Sequence, residues 1–321
     1  MELFTRIPIA VSPNPIGYDS QVLSLGSCFA VNMAEKLGYF QFRQTVNPFG
    51  ILFQPTAIEK LLERAINDSP FNETDIFYAN DRWQCFDVHS DLSHPDATIF
   101  LHRLNEALAT TRGHLQQASH VIVTLGTAWV YRHKSSGNRV ANCHKIPQTE
   151  FTKELLPIEA IAESLSRIVS LVSRDNPSAQ LIFTVSPVRH LKDGFVENQR
   201  SKAHLIAALH TVLDKQSGHQ PPVTSHYFPS YEIMMDELRD YRFYADDLLH
   251  PSPMAINCIW EKFAASWVSP EVFPVMAEVD AVRKAQSHRP FNPDADSYRK
   301  FVQATTEKIA ALQVRFPHMA F

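Results

Sequence analysis

VLSLGSCFAVNMAEKLG, residues 22–38, decides the fold. Val22–Leu25 is a short run of β-branched and aliphatic residues, too short for a helix, and it stops at Gly26-Ser27. The next stretch, residues 28–37, carries apolar residues at helical spacing and is expected to end at Gly38. A strand that feeds directly into a helix through a glycine-serine corner is one half of a β-α-β unit.

Two further runs repeat the theme. VIVTLG (121–126) and LIFTVSP (181–187) are continuously apolar, as strands covered on both faces must be. A helix is expected from Pro55, with Ile58, Leu61, Leu62, Ala65 and Ile66 on one face. Others are expected from Asp96, burying Leu101, Leu104, Leu108 and Leu115, and after Pro157, with Ile158, Ile161, Leu165, Ile168 and Val172. Residues 198–215 and 231–239 read as helices, and 223–228 as a weaker strand. Ser252 is placed to cap a last core helix burying Ile256, Ile259, Trp260, Phe263 and Trp267. Residues 75–89 read as a β-hairpin around Asn80-Asp81, and 129–144 as a second hairpin inserted after a buried strand. The alternation predicts an α/β fold: a parallel sheet between two helical layers, with hairpin insertions. Beyond Pro270 the pattern is only helical, over about 275–288 and 294–313, so residues 1–270 are expected to form the α/β domain and 271–321 a helical extension packed on it.

Composition narrows the function. The chain has 321 residues, 45% hydrophobic and 20% charged, with a net charge of −4. That suits a globular protein with a large core, and scattered basic residues leave no stripe for nucleic acid. No charged segment followed by a long apolar run opens the sequence, and no stretch reaches the roughly 18 apolar residues of a membrane span. The four cysteines are far apart, which fits free thiols in a reducing, cytoplasmic setting. No metal-ligand spacing occurs among the 15 histidines; His89 and His94 read as loop imidazoles, and no metal or other cofactor is expected.

In open parallel sheets, reactive groups gather at the carboxyl ends of strands. Gly26-Ser27 puts a hydroxyl there, at a helix N-terminus whose N–H groups favour negative charge. The same placement fits a plain N-cap. Far down the chain, Asp247 precedes His250 by three residues, a spacing that lets the carboxylate hold Nδ1 and leaves Nε2 to take a proton from a serine. Cys28 is the neighbouring nucleophile candidate, but a cysteine opening a helix against a sheet more often packs as a small apolar residue. Arg189 and His190 follow a buried strand and are candidates for binding a substrate carboxylate, phosphate or hydroxyl, or for an ion pair with Asp193 or Glu197. Asn198, Ser201 and Lys202 open the next helix; they fit the pocket wall, and capping and solvent exposure fit them nearly as well. Arg239, Tyr241 and Arg242 are read as structural.

GSCFA, residues 26–30, resembles the signature of the GSCFA family, a relative of the SGNH (GDSL-like) hydrolases. NPFGILFQP (47–55), TLGTAWVY (124–131), NCHKIP (142–147), SPVRHLKDG (186–194), ENQRSKAHL (197–205) and residues 227–252 extend the resemblance, in order, over about residues 3–270. It implies a three-layer αβα sandwich with a flavodoxin-like sheet and an esterase or acyltransferase acting on a small-molecule or glycan acyl ester. Ser27 would be the nucleophile, Asp247 and His250 the base pair, and Gly50 an oxyanion N–H donor. The block that usually reads G-x-N-D departs: Gly126-Thr127-Ala128-Trp129 puts alanine where the donating asparagine should stand. Thr127, Asn142 or Asn47 could replace it, and His144 could face the pocket. Asn47, Trp129, His144, Arg189, His190 and Asn198 are the substrate-binding candidates, with Phe49, Trp129 and Tyr131 available to exclude water. A non-catalytic carbohydrate- or lipid-binding protein on the same frame is the other reading.

Overall fold

The computed structural model describes residues 5–216 and 224–321. Its centre is a five-stranded parallel sheet built from β1 (Gln21–Gly26), β2 (Arg43–Val46), β5 (His120–Leu125), β9 (Gln180–Val185) and β10 (Ser225–Phe228). The spatial order is β10-β9-β5-β1-β2. Counted along the chain, these five strands are arranged 2-1-3-4-5, the flavodoxin-like order, in which the direction of winding reverses beside β1.

The apolar strands explain the layering. Leu23, Leu25, Val121, Val123, Leu181, Phe183 and Val185 face one core, packed under α2 (Pro55–Ile66), α3 (Ala97–Gln117), α4 (Ile158–Asp175) and α5 (Phe195–Gln216). Val22, Ile122 and Ile182 face the other, under α1 (Cys28–Tyr39) and α7 (Pro253–Trp267). Toward the carboxyl edge the second face turns polar, with Ser24, Thr124 and Thr184 buried on three strands.

Two insertions stand off this sheet. The hairpin β3 (Phe77–Ala79) and β4 (Arg82–Gln84) turns at Asn80 and Asp81, both at positive φ. The second, β6 (Trp129–His133) and β7 (Arg139–Val140), gains a third strand, β8 (Phe151–Leu155), on the far side of β6. The helix expected at 231–239 is only a turn, α6 (Ser230–Glu232), running into a π-helical stretch, Ile233–Glu237. Gly38 does not close α1: the helix continues through Tyr39, and the left-handed residue is Gln41. Val223 lies outside the described residues, and the strand expected there begins at Ser225.

The C-terminal extension is α8 (Phe273–Ser287) and α9 (Asp296–Arg315). Val275, Met276, Val279 and Val282 of α8, with Leu312 of α9, join the second core. Among the described residues no helix is long and apolar enough to cross a membrane.

Candidate functional site

Ser27 sits where β1 ends and α1 begins, against the end of β5. Its N–H donates to Thr124 O at 3.0 Å. Only glycine fits before it: a Cβ on Gly26 would lie 2.1 Å from Thr124 O, and Gly26 has φ +130°. Ser27 occupies the N-cap position of α1, yet its side chain caps nothing. The residue is fully buried and Oγ has no hydrogen-bond partner. The capping explanation for this serine therefore fails.

Other unsatisfied polar atoms surround it. Asn47, at φ +44°, donates its N–H to Ser24 O, and its Oδ1 accepts the Gly26 N–H at 2.8 Å. That bond fixes the amide orientation and leaves Nδ2, a buried donor, without a partner. Ser24 Oγ and Thr124 Oγ1 are also buried and unpartnered. Each such group costs about 1–3 kcal/mol in a folded interior, so a cluster at one strand end needs a reason.

The second half of the site is the 244–251 turn. Asp247 Oδ1 accepts the N–H groups of Leu249 (2.8 Å) and His250 (3.0 Å), while Oδ2 lies 2.6 Å from His250 Nδ1. One carboxylate thus shapes the turn and aims the imidazole. Those two N–H groups, then the imidazole, push Asp247 down to about 2. Leu248, between them, holds a left-handed conformation at φ +59° with its side chain exposed. The turn is tied to the sheet by Arg189, whose N–H donates to Leu249 O at 3.1 Å. The Arg189 guanidinium stacks 3.9 Å from the Tyr244 ring, so it clamps this turn and forms no ion pair with Asp193 or Glu197.

Between these halves lies Lys202. Sequence reading allowed it a solvated place; it is fully buried. Nζ donates to Gly126 O and Ser186 O, both at 2.7 Å, joining the carboxyl ends of β5 and β9. Burial pushes its ammonium down to about 7, partly offset by Cys28, the neighbour of Ser27. Burial also pushes the Cys28 thiol up, which makes it a poorer nucleophile. Burial, then Lys202 and then His250, hold the His190 imidazole down to about 3. Its Nε2 is buried without a partner, its ring packs edge-on to Phe53 at 5.4 Å, and its N–H donates to Asn198 Oδ1. Lys202 lies near enough to Cys28, and both Lys202 and His250 near enough to His190, to interact electrostatically. Ser27 and His250 are not hydrogen-bonded: Ser27 Oγ is enclosed, while the His250 side chain is 48% exposed.

The remaining candidates are engaged elsewhere. The Gly50 N–H donates to Asn47 O. Thr127 gives its N–H to Phe53 O, and its hydroxyl pairs with Ser201 Oγ and accepts the Trp129 N–H. Ala128 is fully buried and donates its N–H to Ser201 Oγ. Asn142 Oδ1 accepts the His144 N–H within its own loop. His144 packs on Phe77 and Phe86, with Nε2 at 2.6 Å from Cys85 O. Trp129 donates from Nε1 to Glu197 O and lies under the Lys153 ammonium. Among the described residues no group of three or more His, Cys, Asp or Glu is arranged to hold a metal ion.

The sequence pattern described as the GSCFA family matches residues 21–263, and that of the GSCFA domain protein, C-terminal domain, matches residues 279–321. No curated protein matches the chain. Solved structures give distant likenesses. A Streptococcus pneumonia protein assigned provisionally as a platelet activating factor is 12% identical, with TM-score 0.40 over 77% of this chain and 83% of that one. A carbohydrate esterase family 3 protein from Talaromyces cellulolyticus is 9% identical, with TM-score 0.37 over 81% and 99%. An acetyl xylan esterase, Est2A, from the rumen bacterium Butyrivibrio proteoclasticus is 13% identical, with TM-score 0.25 over 53% and 37%.

Proposed function

For this chain, which belongs to the GSCFA family, we propose a serine-dependent hydrolase or acyltransferase on an SGNH-like frame, acting on acyl esters of carbohydrate or lipid. The observation that carries this reading is the Ser27 hydroxyl. It stands at a helix N-terminus yet caps nothing, and it shares the end of β1 with an unpaired amide donor, Asn47 Nδ2. A fold that keeps two such groups buried and unpaired at one strand end forgoes stability.

In the proposed chemistry Ser27 Oγ attacks the ester carbonyl while His250 Nε2 takes the serine proton. Asp247 keeps Nδ1 protonated and stabilises the imidazolium that forms. The tetrahedral oxyanion accepts from Asn47 Nδ2, which supplies the donor that Ala128 lacks. His250 then protonates the departing alkoxide, and water or an acceptor hydroxyl releases the acyl group by the reverse sequence. Lys202 ties together the carboxyl ends of β5 and β9 and places a buried amine near Cys28, the neighbour of Ser27. Substrate must open a path to Ser27 and draw His250 within hydrogen-bond reach; catalytic bonds often tighten only in the complex.

Residues 1–270 form the catalytic unit in this account and 271–321 the helical extension. Cys28, Cys85, Cys143 and Cys258 are all free thiols, which supports a cytoplasmic setting. The second reading, a binding protein on a degraded frame, draws on Ala128 and the enclosed Ser27. A fluorophosphonate probe separates the two. Covalent labelling of the intact chain, abolished by Ser27→Ala, is the expected result; no labelling of the folded protein supports the binding reading.

A further inference from the structure

A cavity of about 380 Å³ opens between the first turn of α2 and the β6–β7 hairpin. That volume falls among small-molecule sites. It does not include Ser27, and its chemistry is different. Gln54, on its wall, is 4% exposed. Gln54 Nε2 donates to Val140 O at 2.7 Å, which fixes the amide and leaves Oε1 buried with no partner. Thr56 Oγ1, on the same wall, is likewise buried and unpartnered. Both belong to residues of the cavity wall and lack a partner within the protein.

The opposite wall is cationic. Arg132 and Arg139 both donate to Glu154 Oε1, at 2.9 and 2.8 Å. Arg132 uses its other terminal nitrogen on Gly137 O, which holds the hairpin tip. Arg139 uses only Nε, so both its terminal nitrogens are free of partners among the described residues. Lys60, on α2 one turn beyond Thr56, also lines the cavity, paired at 2.7 Å with Asp87, another lining residue. The α2 N-terminus adds partial positive charge: Pro55 has no N–H to offer, and Thr56 and Ala57 line the cavity.

We propose that this cavity binds an anionic sugar, a polyhydroxy compound carrying a carboxylate or a phosphate. The guanidinium fork of Arg139 takes the anionic group, with Lys60 beside it. The sugar hydroxyls donate to Gln54 Oε1 and Thr56 Oγ1. A bare anion leaves the Gln54 Oε1 acceptor unsatisfied, and a neutral sugar leaves the fork empty. The site stands whether or not Ser27 is a nucleophile, because none of its residues enters that chemistry.

The test is calorimetric titration of the intact protein, at low ionic strength, with glucose 6-phosphate, glucuronate, glucose and inorganic phosphate. At least one charged sugar is expected to bind about tenfold or more tighter than both glucose and phosphate, roughly the worth of one good polar contact. Which charged sugar binds better identifies the anionic group. Arg139→Gln is expected to weaken that ligand about tenfold or more, and Thr56→Val to weaken it while leaving phosphate unchanged. Should Arg139→Gln fail to fold, Thr56→Val still reads the hydroxyl contact. Equal affinity for phosphate and sugar phosphate, equal affinity for glucose and its charged forms, or no binding by any of the four overturns the proposal.

Discussion

Replacing Lys202 by methionine should alter how stability depends on pH. Lys202 is fully buried, with Nζ donating to two strand-end carbonyls at 2.7 Å. Burial lowers its ammonium from 10.5 to about 7. Because the folded value lies below the unfolded one, the unfolded chain binds the extra proton between those two pH values. Stability therefore rises with pH across that window, and the penalty of the buried charge is fully present below it. At about 1.4 kcal/mol per pH unit, the shift corresponds to a penalty on the order of 5 kcal/mol. Methionine fills the space and removes the titration, but leaves Gly126 O and Ser186 O without their donor, at about 1–3 kcal/mol each at every pH. The two effects roughly cancel near pH 6. Near pH 10 only the loss remains, and the variant should be several kcal/mol less stable than the parent. Urea unfolding of both proteins at several pH values between about 6 and 10 measures the difference, and other titrating groups drop out of the comparison. A stability difference constant across that range refutes the reasoning, because it means Lys202 titrates as a solvated amine.

Three further outcomes are expected. Asp247→Asn removes the charge that holds His250 Nδ1 and should slow fluorophosphonate labelling of Ser27 by about 10²–10⁴, with little change in thermal stability because the pair is exposed. Asn47→Asp keeps the oxygen that receives the Gly26 N–H but removes the unpaired donor; labelling should fall about 10²–10³, and an unchanged rate would remove Asn47 from the oxyanion site. Gly26→Ala drives a methyl group into backbone that cannot give way, 2.1 Å from Thr124 O, and should cost about 3 kcal/mol or more in urea unfolding; a loss below about 1 kcal/mol would contradict the close approach.

The sheet was legible because β1, β5 and β9 are short, largely apolar runs that alternate along the chain with helices of clear periodicity. β2 escaped notice: Arg43–Val46 reads RQTV, an edge strand with one apolar residue, held by pairing with β1 rather than by burial. β8 was missed for the same reason, since Phe151–Leu155 carries Thr152, Lys153 and Glu154 at its centre and gains its place only beside β6. Asp247 and His250 were legible through spacing alone, because a three-residue interval lets one carboxylate reach both the backbone and the ring. Lys202 was not legible. Nothing local distinguishes a lysine that spans two strand ends from one in water; only the closed sheet reveals the two carbonyls waiting for it. Asn47 was one of three possible donors in sequence, and its place in the proposed site rests on the Gly26 N–H that orients its amide.

The most direct measurement is a crystal structure of the protein after reaction with a phosphonate ester. The account predicts phosphorus bonded to Ser27 Oγ, His250 Nε2 within about 3.2 Å of the ester oxygens, and the phosphoryl oxygen on Asn47 Nδ2. An adduct on another residue, or one on Ser27 with His250 still turned to solvent, would contradict it.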